Sequence, residues 1–85
     1  MAVVSGTFTA TGESATCVGT AIDVSIQGIS SSTVLVQRRI GDNWRTIETV
    51  TADDEYVVEN ATGLEHRLSC TVYGTGTVTY AMVSR

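Results

Sequence analysis

The 85-residue sequence has no proline, no lysine, one histidine, one tryptophan, one phenylalanine and two cysteines. With lysine absent, five arginines stand against nine carboxylates, and the net charge is −4. Nucleic-acid binders draw affinity from releasing phosphate counterions and need a basic stripe to do so. Here the one basic pair, Arg38-Arg39, falls on an expected strand whose neighbours point to opposite faces, so no nucleic-acid partner is expected. Nothing approaches the ~18 consecutive apolar residues of a spanning helix, so no membrane partner is expected either. The opening Met1-Ala2-Val3-Val4-Ser5-Gly6 has no basic segment followed by an apolar core. That predicts no secretory signal and synthesis in a bacterial-type cytoplasm. Charged residues are only 16% of the chain, too few for a disordered polyelectrolyte tail.

What the sequence has in abundance is β-branched side chains. Threonine (14), valine (12) and isoleucine (5) fill 31 positions. Such side chains are stiff at χ1, crowd a helix and pack well on a pleated sheet. Alternation with period two recurs along the chain, and no stripe of helical period is present. Val4–Ala10 reads as a first strand, Ala21–Gln27 as a second with Ile22, Val24 and Ile26 inward, and Thr16–Val18 as a short edge piece. Thr33–Ile40 and Trp44–Val50 form a hairpin about Gly41-Asp42-Asn43. Glu55–Glu59 is a short strand ended by a corner at Asn60-Ala61-Thr62-Gly63. A last hairpin pairs Glu65–Tyr73 with Thr77–Val83 through Gly74-Thr75-Gly76.

This pattern predicts one all-β domain over residues 1–85, a single antiparallel β-sandwich of six to seven strands, immunoglobulin-like. The expected core is Phe8, Ile22, Val24, Ile26, Val34, Val36, Ile47, Val57, Leu68, Cys70, Val72, Val78 and Tyr80. Residues 1–12 form either an edge strand or an arm reaching a neighbour.

Residues for chemistry are scarce. Any catalytic triad or zinc centre would have to use His66, the sole histidine. Zinc takes three or four ligands, and Cys17, Cys70 and His66 show no C-x-x-C or H-x-x-H spacing. The expectation is a strand-end histidine half in water. No serine sits in a G-x-S-x-G elbow, and Asp53-Asp54-Glu55 lacks the alternation and central glycine of a calcium loop. Asn60-Ala61-Thr62 matches a glycosylation acceptor, read as chance in a chain with no expected secretory signal. A Cys17–Cys70 bridge would close a loop worth about 4 kcal/mol. Against it, Cys17 falls in a weak edge segment, and a reducing cytoplasm keeps thiols free. The sequence therefore predicts no enzyme activity, no cofactor, no metal and no disulfide.

A resemblance adds what composition cannot. The runs Ile22-Asp23-Val24-Ser25-Ile26-Gln27-Gly28, Thr33-Val34-Leu35-Val36-Gln37-Arg38-Arg39 and Gly41-Asp42-Asn43-Trp44-Arg45-Thr46-Ile47 carry its first part. Glu65-His66-Arg67-Leu68-Ser69-Cys70-Thr71-Val72-Tyr73-Gly74-Thr75-Gly76-Thr77-Val78 carries its second. From Thr20 onward the chain resembles small all-β virion proteins of tailed bacteriophages. It departs from their pattern at Ser30-Ser31-Ser32, where a glycine is usual, and at His66, where a tyrosine is usual. The same rhythm is similar to fibronectin type III and immunoglobulin-like domains, which phages append to many structural proteins.

The resemblance implies a capsid decoration or cement protein, lodged on the virion surface and bound between subunits of the major capsid protein. The alternative it leaves open is a carbohydrate- or receptor-binding module of a tail fibre or baseplate. Domains this small gain stability when a partner covers their apolar surface, so a homo-oligomer, trimer or dimer, is expected. Candidate contact residues are Val3, Val4 and Phe8 in the arm, and Trp44 and Arg45 at the hairpin end.

Overall fold

The computed structural model describes residues 2–84, and at position 61 the backbone alone. Met1, the first residue of the expected arm, lies outside them. The described chain is all-β, with seven strands: β1 (Val3–Phe8), β2 (Gly12–Glu13), β3 (Cys17–Gln27), β4 (Thr33–Ile40), β5 (Asn43–Val50), β6 (Asp54–Val72) and β7 (Val78–Ser84). Every pairing is antiparallel, in the order β1-β7-β3-β6-β4-β5, with β2 beside β6. Among the described residues no helix is long and apolar enough to cross a membrane.

Two long strands, β3 and β6, join two halves of this sheet. The first half is β1, β7, the later part of β3 and the start of β6 (54–59). The second is β2, the start of β3, the later part of β6 (64–72), β4 and β5. Ile22, Ile26 and Met82 of the first half and Val34, Val36 and Leu68 of the second are all fully buried, in one cluster. A single-layered sheet cannot hide side chains so completely, and the described chain has no other element to cover them. The two halves therefore cover one another, a layout compatible with the expected sandwich.

The β4–β5 hairpin forms as expected, with Gly41 at its turn. The expected last hairpin does not. β7 pairs with β1 and β3 instead of β6, because both edges of the later part of β6 are taken, one by β4 and the other by β2 and β3. Tyr73 to Thr77 is thus a crossover between the halves. Its first turn lies against the preceding serines: the Gly74 N–H donates to Ser32 Oγ at 2.9 Å. A β-carbon on Gly74 would fall 1.8 Å from Ser31 Oγ, so only glycine fits there.

Expectations of burial need correction at Val57, Val72 and His66. Val57 is 45% exposed, because Tyr56 and Val58 are the residues of that strand packed on the core. Val72 is 52% exposed, because the β4–β6 register shifts between Thr33 and Val34 and the extra residue on β6 turns Val72 outward. Cys17 starts an 11-residue strand and is fully buried, although β3 is paired there on one side only, by β6. His66, expected half in water, is fully buried. Ile29, Val50 and Met82 join the core unforeseen, while Ile47 and Tyr80 pack on it only in part.

Within residues 1–12, Val3–Phe8 form an edge strand, and Gly12 already belongs to β2. β1 pairs with β7 over six consecutive residues, Val3 opposite Val83 through Phe8 opposite Val78. Its inward side chains belong to the fold: Phe8 is buried and stacks on Tyr80 with ring centroids 4.8 Å apart, and Val4 packs on the core.

Candidate interaction surface

The contact candidates of the sequence do not form one patch. Phe8 is unavailable in the core and Val4 is turned inward, which leaves Val3, 60% exposed, on the outer face of β1. Trp44 and Arg45 are adjacent on β5 and point to opposite faces. Arg45 lies opposite Arg38, and Arg38 lies opposite His66, on the side of the sheet that faces the core. Trp44 lies opposite Arg39, on the outer face.

On that outer face the structure assembles a group the sequence reading missed. The Arg67 guanidinium stacks over the Trp44 ring at 4.3 Å from its centroid. Arg67 Nε donates to Gln37 Oε1 at 2.8 Å, and Gln37 Nε2 donates in turn to Thr46 Oγ1 at 3.4 Å. Arg39 reaches Glu65 at 3.4 Å and Asp42 at 3.8 Å, and its Nε donates to the Gly41 carbonyl at 3.1 Å. Three strands, β5, β4 and β6, thus present a patch in which the guanidinium of Arg67 stacks on the indole and is hydrogen-bonded to Gln37. Alternation alone put Arg67 and Gln37 on a polar face. Bringing them to Trp44 required knowing that β6 lies beside β4, and the sequence had paired that part of β6 with β7.

The buried polar group lies where β6 passes from one half to the other. The β3–β6 register shifts there, so Cys17 faces His66 while Ala21 faces Glu59. Asn60 holds the extra residues: its Oδ1 accepts the N–H groups of Thr62 at 3.1 Å, Gly63 at 2.7 Å and Leu64 at 3.1 Å. Gly63 takes a positive φ of 67°, which a side chain would strain. Asn60 Nδ2 donates to the Gly19 carbonyl at 2.9 Å and lies 3.4 Å from His66 Nε2. That arrangement casts Nε2 as the acceptor and puts the ring proton on Nδ1, which makes no well-formed hydrogen bond. Burial pushes the His66 pKa below its usual value. The backbone of Leu64 and Cys17 pulls the other way, and the Arg38 charge adds to the lowering. His66 is therefore neutral at pH 7.

Among the described residues, Cys17, Arg38 and Asn60 are the neighbours that His66 faces. Cys17 and Cys70 are free and buried, and burial raises the Cys70 thiol, which disfavours the reactive thiolate. Among the described residues no three His, Cys, Asp or Glu side chains converge to hold a metal ion. On the opposite half of the sheet, a shallow depression of about 450 Å³ is lined by Asp23, Ser25, Glu55, Val57, Ala81 and Val83. Ser25 and Ala81, both small, lie directly opposite one another across β3 and β7. No known protein family matches the chain, and no curated protein or solved structure is significantly similar to it.

Proposed function

We propose that the chain is a structural protein of a tailed-bacteriophage virion that decorates or cements the capsid by binding between major capsid protein subunits. It acts by adhesion rather than catalysis, as a homo-oligomer on the capsid surface after synthesis in the host cytoplasm. The sequence resemblance supports the setting. The Trp44–Arg67 stack supports the mode of action. Tryptophan and arginine carry much of the energy at protein interfaces. Here both are ordered before a partner arrives, which lowers the entropy cost of binding. Arg67 makes no ion pair among the described residues, so its charge is available to a carboxylate of the partner.

The second reading, a carbohydrate- or receptor-binding module of a tail fibre or baseplate, draws on the same indole. Sugars stack on open aromatic faces, and Arg67 already covers one face of Trp44. That favours the capsid. Co-sedimentation of the purified protein with heads and with isolated tails tests the choice. We expect retention on heads, weakened roughly thirtyfold by Trp44→Ala or Arg67→Ala. Retention on tails or on glycans but not on heads would overturn the capsid reading.

A further inference from the structure

Three strand edges of six residues or more stay open among the described residues: β1, β5 and the start of β6. Shorter open edges lie at β2 and at the start of β3, before its pairing with β7 begins at Ile22. Two of the three long edges carry the usual guards against pairing with another chain, namely charges and bulges. The β6 edge holds Asp54, Glu55 and Glu59. The β5 edge holds Arg45 and Glu48, and its register with β4 shifts near Ile47. The β1 edge has neither guard. No charged residue occurs before Glu13, and β1 runs in unbroken register along β7.

The direction of its free hydrogen-bonding groups follows from one bond. The Ser84 N–H donates to the Ala2 carbonyl at 2.8 Å, extending the β1–β7 ladder by one pair. In an antiparallel pair, alternate residues direct both backbone groups to the same neighbour. Ala2, Val4, Gly6 and Phe8 therefore bond towards β7, and Val3, Ser5 and Thr7 present their N–H and C=O groups to the open side. These three residues are symmetric about Ser5.

We propose that β1 is a dimerisation edge: a second copy adds its own β1 antiparallel to this one, with Ser5 on the two-fold axis. Val3 then lies opposite the partner's Thr7, and all three outward residues on each strand are paired. Residues directly opposite in an antiparallel pair share a face, so the exposed Val3 gains a cross-strand neighbour. The contact is isologous and closes at two copies. It joins two four-stranded halves into one continuous sheet and leaves the Trp44 face free.

Net charge does not oppose it. The acidic start of β6 lies three strands from β1, about 14 Å at the usual strand spacing. That exceeds the screening length of about 8 Å at physiological salt.

The inference deepens the homo-oligomer part of the virion reading and is tested on the purified chain alone. A trimer, or a dimer indifferent to the variants, overturns the inference and leaves that reading standing, whereas a monomer removes the homo-oligomer as well. Sedimentation equilibrium should show a monomer–dimer equilibrium. Ser5→Lys and Ser5→Glu each place like charges on the axis and should raise the dimer dissociation constant roughly fivefold or more. Their equimolar mixture should recover dimer, which shows at once that both variants fold. A wild-type monomer at high concentration, a trimer, or a dimer indifferent to both variants would overturn the proposal. A mixture that stays monomeric, with circular dichroism unchanged, would overturn it as well.

Discussion

The two halves of the sheet share a core but differ in what they show to solvent. The half containing β1 and β7 holds Asp23, and Asp53, Asp54, Glu55 and Glu59 lie at or beside its other edge, with no arginine among its described residues. The half containing β4 and β5 holds all four described arginines, Arg38, Arg39, Arg45 and Arg67, against Glu13, Asp42, Glu48 and Glu65. One outer surface is acidic and built from small side chains. The other is balanced in charge and carries the ordered tryptophan. A domain of this size cannot give each half its own core, so the difference lies on the outer faces, where side chains alter contacts without altering the fold.

The strongest test of that shared core comes from truncating it on one side at a time. Met82 in the first half and Leu68 in the second are both fully buried in the same cluster. Met82→Ala and Leu68→Ala should each cost about 3 kcal/mol. In both variants Trp44 fluorescence and far-ultraviolet circular dichroism should report one coincident unfolding transition. If Met82→Ala left the fluorescence transition where it was, the halves would be separate units.

Much of this was legible beforehand, and the exceptions share a cause. Alternation identified the inner faces of β3 and β4 and the β4–β5 hairpin, because those signals lie within a few residues of one another. It failed where the outcome depended on a distant partner. The crossover at Gly74 looks locally like a hairpin turn, and only the occupied edges of β6 show that β7 must go elsewhere. His66 breaks the alternation of a typical core, since a polar ring is expected outside. Its burial rests on Asn60, whose amide satisfies the bulge and lies against the ring. The Trp44–Arg67 stack spans three strands and has no local signature at all.

A smaller effect, and a pH-dependent one, should separate the junction from the rest of the sheet. His66 faces Cys17 on β3, Arg38 on β4 and Asn60 on its own strand, with no carboxylate opposite it. Its folded pKa lies below the usual 6.5 because burial opposes the charged ring. As pH falls below about 6.5 the unfolded chain takes up the proton first, so stability is full above that value and declines towards the folded pKa. The slope from this one group is at most about 1.4 kcal/mol per pH unit, the limit for one proton. Urea unfolding between pH 7.5 and 5 should show the decline in the wild type and lose this component in His66→Gln. An equal slope in both proteins would remove His66 as its source.

The smallest effect concerns two neighbouring valines on β6, and it tests the inner and outer faces directly. Val57 is exposed on the rim of the acidic depression, whereas Val58 packs on the core. Threonine has nearly the shape of valine and the same β-branched stiffness, so Val→Thr exchanges a methyl for a hydroxyl without disturbing the strand. At position 57 the hydroxyl meets water, and Val57→Thr should change stability by less than about 0.5 kcal/mol. At position 58 it enters the core side, and Val58→Thr should cost about 1–2 kcal/mol through the burial of an unpaired hydroxyl. Chemical denaturation of the two variants side by side measures the difference. The reverse order would mean that the start of β6 is slipped by one residue, which would put Tyr56 and Val58 outside and dismantle the face that joins the halves.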